Sequence, residues 1–147
     1  MKLFLRILFL YLIFLTQTAI SRPQIDLVLL VLVIFCLHDT LLFSLVLGIW
    51  SGILLGLVNP VHFGFHIFAF ASIAYASNNI RRFIYKNKTY YLVIVLIAIL
   101  FKYLLSLIFL GAQHSFLSWL LATLIILITA IPLENLIARI FYQQWKM

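Results

Sequence analysis

Apolar runs recur along the whole chain, each roughly 18 to 20 residues long, about the length a helix needs to cross the hydrocarbon core of a bilayer. Lipid offers no partner to a free backbone N–H or C=O, so such a chain must fold into helices that satisfy their own backbones. Composition agrees, because 67% of the 147 residues are hydrophobic and only 9% are charged. A soluble domain carries about one quarter charged residues. No stretch reads as an extramembrane domain or a Pro/Ser-rich linker, so residues 1–147 read as a single polytopic all-α membrane domain. The one cysteine, Cys36, lies in an apolar run, which excludes a disulfide framework and suits inert packing.

The net charge is +7, but its placement argues against nucleic acid as a partner. Lys and Arg fall at the ends of apolar runs and do not form a stripe interleaved with exposed aromatics. Positive-inside topology accounts for the excess. The first run, Leu3 to Ile20, follows Lys2 and is interrupted only by Arg6. A signal peptide cleaved near Ala19-x-Ser21 competes with a first membrane helix. The Arg22-Pro23 that follows makes a poor mature terminus, and the rest of the chain is itself membrane-embedded.

The second run is short. Eleven apolar residues, Leu27 to Leu37, lie between Asp26 and His38-Asp39, about 16 Å of helix at 1.5 Å per residue. A re-entrant segment is therefore an alternative to a crossing. Charge decides between them. If the segment crosses, Lys2, Arg6, Arg81, Arg82, Lys86, Lys88, Arg139 and Lys146 all face the cytoplasm and only Arg22 stays outside. That bias predicts six crossings in one compact bundle with both termini inside. The helices are expected at about 3–20, 23–37, 40–58, 62–80, 90–110 and 116–141. Asp39 is expected to cap the third helix. Pro132 is expected to kink or end the sixth, with Leu133, Leu136, Ile137, Ile140 and Phe141 lining one face of the tail.

Within this frame, Gly48, Gly52 and Gly56 recur every fourth residue and are followed by Asn59-Pro60 and Gly64. Small residues at that spacing bare the backbone on one face, which lets membrane helices approach closely. Folding the third and fourth helices back about Pro60 sets Gly56 near Gly64, Gly52 near Phe68 and Ala69, and Gly48 near Ser72. Ala69, Ser72, Ala76 and Asn79 would form the facing stripe. The glycines read either as packing inside the hairpin or as a face for a partner's helix.

Several stretches together resemble the rod shape-determining protein MreD family. They are Arg22-Pro23-Gln24-x-Asp26-Leu27-Val28-Leu29-Leu30, Leu47-Gly48-Ile49-Trp50-Ser51-Gly52-Ile53-Leu54-Leu55-Gly56, and Asn59-Pro60 with Gly64 and a small-rich helix ending at Tyr75. The layout of nearly the whole chain is similar, while the motifs span about residues 22–75. Arg22, Pro23, Asn59 and Pro60 mark the two turns that carry the pattern. This chain has Gly56 where members often carry an acidic residue and Gln24 where Asp is common, so no role of those carboxylates carries over. The resemblance implies a non-enzymatic scaffold of the bacterial elongation complex in the cytoplasmic membrane. Its implied partners are the bitopic protein MreC, the actin-like MreB filament, and the RodA glycosyltransferase with its transpeptidase. It also implies a fold similar to the six-helix substrate-binding component of energy-coupling factor transporters. That similarity supplies a rival function, binding of a small vitamin-like molecule. Such components usually present Ala-x-x-x-Ala on helix one, whereas residues 8–15 here are bulky throughout.

Candidate chemistry is sparse. His62 and His66 stand four apart, but no third ligand lies nearby in sequence, which favours interfacial histidines over a metal site. His38-Asp39 lacks a nucleophile for a catalytic dyad. No cofactor is expected. Lys102 lies well inside the fifth run, where an ionisable group is costly and marks a functional site by default. It snorkels to an interface, pairs with Glu134, or faces a cavity that binds an anionic ligand or membrane lipid. The basic loop 81–88 either fixes topology or contacts anionic lipid or a filament.

Overall fold

The computed structural model describes residues 2–20, 26–84, 88–111 and 116–143, and the described chain is all-helical. Helix α1 is Lys2–Ala19, α2 Leu27–His38, α3 Leu41–Val58, α4 Phe63–Ile84, α5 Lys88–Leu110 and α6 Phe116–Ile137. A 3₁₀ turn, Pro60–His62, joins α3 to α4, and a π-helical turn, Ala138–Gln143, extends α6. Four of the helices (α1, α3, α5 and α6) are long and apolar enough to cross a membrane, as a multi-pass membrane protein requires. Arg22, Pro23, Lys86 and Lys146 lie outside the described residues.

Helix α2 is the hub. Its sequence, LVLLVLVIFCLH, has no polar face, and a helix that is apolar all round packs inside. Val28 to Leu37 are all between 0% and 2% exposed, because α1, α3, α4, α5 and α6 each pack against α2. Twelve residues make only about 18 Å of helix, so both ends of α2 stop inside the bundle. Each end carries an aspartate that must be neutralised there.

The α3–α4 hairpin has the largest helix–helix interface. Asn59 ends α3, donating its N–H to the Leu55 carbonyl at 3.2 Å and accepting from the His62 N–H at 3.1 Å. Pro60 then opens the 3₁₀ turn, where its fixed φ and missing N–H cost nothing. A Cβ on Gly52 would lie 2.5 Å from the Ile67 Cα and 2.8 Å from the His66 carbonyl oxygen. One on Gly48 would lie 2.8 Å from the Ala74 Cβ and 2.9 Å from the Phe70 oxygen, and one on Gly56 would meet the Phe63 ring. The glycine face is thus closed by α4.

The facing residues differ from the expected stripe. Phe63, Ile67, Phe70, Ala71 and Ala74 stand in place of Gly64, Phe68, Ala69 and Ser72. Gly64 is exposed, and a Cβ added to it would meet nothing within 4 Å. Ala69 is buried, while Ser72 and Ala76 are half-buried. The turn pivots half a residue earlier than Pro60, and a one-residue shift rotates a helix by about 100°.

Pro132 does not end α6, which runs through it to Ile137. The π-helical turn beyond is wider than an α-turn and splits the expected apolar face of the tail. Ile137 is fully buried and Leu133, Phe141 and Tyr142 pack against the core, whereas Leu136 and Ile140 are exposed. Phe9, Phe35 and Phe141 meet edge-to-face, with centroids 5.3 to 6.1 Å apart, so the tail docks where α1 meets the C-terminal half of α2.

Candidate functional site

Two polar centres mark the two ends of α2. At its C-terminus the last carbonyls have no partner within the helix. Asn78 of α4 fills that gap, its amide Nδ2 donating to the carbonyls of Cys36 at 3.0 Å and Asp39 at 2.9 Å and to the Ser44 Oγ at 3.1 Å. Arg81 adds a bond to the Asp39 carbonyl at 2.8 Å, and a cation there also complements the negative end of the helix dipole. The Asp39 side chain does not cap α3, for Thr40 holds that position. It pairs instead with Arg6 of α1 at 2.5 Å, with both side chains about 95% buried. The Tyr142 hydroxyl reaches the same carboxylate at 3.3 Å. Burial pushes the Asp39 carboxyl above its ordinary range, and Arg6 and Tyr142 pull it only part of the way back. Replacing Asn78 with Ala is expected to cost about 1–2 kcal/mol, the range for losing buried polar bonds within a membrane bundle. Replacing it with Asp should cost more, because a carboxylate would then face the same carbonyls. Thermal midpoints in detergent that rank the two variants the other way would refute this account of the cap.

At the N-terminus of α2, Asp26 caps the helix, its Oδ1 accepting from the Leu29 N–H at 3.0 Å. Its Oδ2 pairs with the ammonium of Lys102 from α5, which also sits 4.7 Å from the centroid of the Phe70 ring. Lys102 therefore pairs with Asp26, not with the expected Glu134, and it also lines a cavity. Glu134 acts electrostatically on Tyr91, eleven residues or about 16 Å along α5 from Lys102.

Above this pair lies a cavity of about 520 Å³ lined by residues from all six α-helices. It exists because α2 stops at Asp26 while its neighbours continue. Phe14 and Gln17 of α1, Asn59 at the end of α3, Phe65 and His66 of α4, Tyr103 of α5 and Trp119 of α6 wall it, with Asp26 and Lys102 on the same lining. Ser106 and Thr123 also line it, but their hydroxyls donate to their own helices, to the carbonyls of Tyr103 and Trp119 at 2.8 Å. Such a wall combines an apolar surface with a few polar groups that can orient a ligand. His66 faces the cavity while His62 lies in the 3₁₀ turn, and no group of metal ligands occurs among the described residues.

Sequence reasoning finds Lys102 and the short α2 but misses Arg6, Asn78 and the two aspartate pairs. A signal is present. The chain has only three acidic residues, two of which flank the short apolar run, and two basic residues interrupt long apolar runs. Comparison of the chain with protein-family models, curated proteins and solved structures finds no match.

Proposed function

We propose that this protein is a non-enzymatic scaffold of the bacterial cell-wall elongation complex, an MreD-like protein of the cytoplasmic membrane that binds a bitopic MreC-like partner. Through that partner it would act beside the MreB filament and the RodA–transpeptidase pair. The motif resemblance over residues 22–75 supports this reading. The observation that carries it is the consumption of the polar groups at the inner end of α2 in fixing helix to helix: Arg6 with Asp39, and Asn78 and Arg81 on the α2 carbonyls. That investment suits a rigid platform. In this reading all six helices cross, with both termini in the cytoplasm and α2 as a short central crossing. A reporter fused after Met147 tests the topology, and an external C-terminus would refute it.

The cavity favours a second reading, a small-molecule-binding component of an energy-coupling factor transporter. Copurification in mild detergent separates the two. Recovery of a single-span coiled-coil protein is expected, and recovery of ATPase subunits would overturn the scaffold in favour of the transporter.

A further inference from the structure

The cavity over α2 holds a cation with hydrogen-bond donors to spare. Both Asp26 carboxylate oxygens are engaged, one by the Leu29 N–H and one by Lys102. An ammonium carries three donors, so Lys102 keeps two after pairing with Asp26. Gln17 accepts from the Val28 N–H through Oε1 at 3.0 Å, which fixes the orientation of its amide and leaves two Nε2 donors. The buried Nδ1 of His66 has no hydrogen-bond partner among the described residues, and it donates in one neutral tautomer and accepts in the other. The hydroxyls of Ser106 and Thr123 are already donating to backbone. The wall thus keeps several spare donors, two of them on a cation, beside the acceptor lone pairs of its hydroxyls and of Asn59.

The lysine also remains open to the cavity. Its side chain is 21% exposed although it is held inside the bundle, and that of Asp26 is 11% exposed. The N-terminal end of α2 points the same way, adding the positive pole of its dipole to the surplus of donors. Around these groups stand Phe14, Phe65, Tyr103 and Trp119, which form an apolar and aromatic wall. Ligand sites of several hundred Å³ commonly combine such a wall with a few polar groups that orient the ligand.

We propose that this cavity binds the oxyanion head of an amphiphilic acid, a phosphate or carboxylate carried on an apolar body, with Lys102 and Gln17 as donors. Lys102 then bridges the ligand and Asp26. The pair is balanced, so a singly charged head fits better than a doubly charged one. The oxyanion has two sources, a membrane lipid entering between helices or a free organic acid. The inference does not depend on the scaffold reading.

Native mass spectrometry of the full chain in a neutral maltoside detergent tests it. The probes are phosphatidylglycerol and oleate as chain-bearing oxyanions, and phenyl phosphate and benzoate as chain-free ones. One equivalent of at least one probe is expected to bind. Saturation by the chain-bearing probes alone would assign a lipid, and saturation by the chain-free ones a free acid. Ala122→Phe narrows the cavity while leaving both charged residues in the chain, and it should weaken binding at least tenfold. Because Lys102→Met alone strands Asp26, the paired variant Lys102→Met with Asp26→Asn is used, and it should weaken binding to the same degree. Circular dichroism checks that both variants are folded. Binding of none of the probes, or equal binding by the wild type and a folded Ala122→Phe chain, would overturn the proposal.

Discussion

Arg6→Leu is expected to lower the stability of the folded chain by about 3–5 kcal/mol, the usual cost of removing one partner from a buried ion pair. The cause is the stranded partner. Asp39 is only 6% exposed, and without the guanidinium its carboxylate keeps only the long contact from the Tyr142 hydroxyl at 3.3 Å as a side-chain hydrogen bond. Removing both charges is a different experiment. Arg6→Leu with Asp39→Leu should regain most of the loss, since apolar groups of similar volume often replace a buried pair without penalty. A double variant as unstable as the sum of the single ones would show that the pair is not the cause. The pH dependence has a definite sign. The carboxyl of folded Asp39 already titrates above the ordinary 3.8, so the folded state holds its proton more tightly than the unfolded state. Stability at this site is therefore lost as pH rises from 3.8 through the raised value. Removing Arg6 raises that value further, and the deficit of Arg6→Leu should narrow as the solution is made more acid.

The second large effect belongs to the hairpin. Gly52→Ala is expected to cost about 1–3 kcal/mol or more, the range for forcing an extra methyl into a packed interior, because the new Cβ would fall 2.5 Å from the Ile67 Cα and 2.8 Å from the Ile67 nitrogen. Both are backbone atoms of α4, so only a separation of the two helices relieves the clash. Gly56→Ala should be milder, for its nearest neighbour is the Phe63 ring at 2.5 Å, which can turn aside. Gly64→Ala should be close to neutral, with nothing within 4 Å. Thermal unfolding in one detergent is sufficient to rank them. If Gly64→Ala proves as damaging as Gly52→Ala, the interdigitation described for α3 and α4 is wrong.

These two sites show what the amino-acid order reveals and where it stops. Helical class and membrane-length apolar runs follow from local composition, and the all-apolar α2 announces that it has no face for water. Glycine spacing discloses that α3 is approached closely. It cannot supply the facing residues, since a displaced pivot puts Ile67 opposite Gly52 in place of Phe68 and Ala69, and Phe70, Ala71 and Ala74 opposite Gly48 in place of Ser72. The ion pairs join residues 33 and 76 positions apart in sequence, separations at which no helical periodicity operates. In the sequence Arg6 reads as one member of a topological charge bias, and that reading conceals its partner. The cavity is least legible of all, because it needs one residue or more from every helix and the early end of one of them, α2.

The brevity of α2 has a consequence for how the protein is made. A twelve-residue helix flanked by two aspartates is a poor substrate for insertion by itself, because each charge near the bilayer interior weighs against partition into lipid. Its two counter-charges arrive at very different times during synthesis. Arg6 precedes it, but Lys102 emerges only after four helices are complete. Until then Asp26 has no counter-ion from α5, and the start of α2 is free to linger at the membrane surface. Synthesis halted between α4 and α5 should therefore leave the Asp26 end accessible to water-soluble labelling reagents, and completion of α5 should withdraw it.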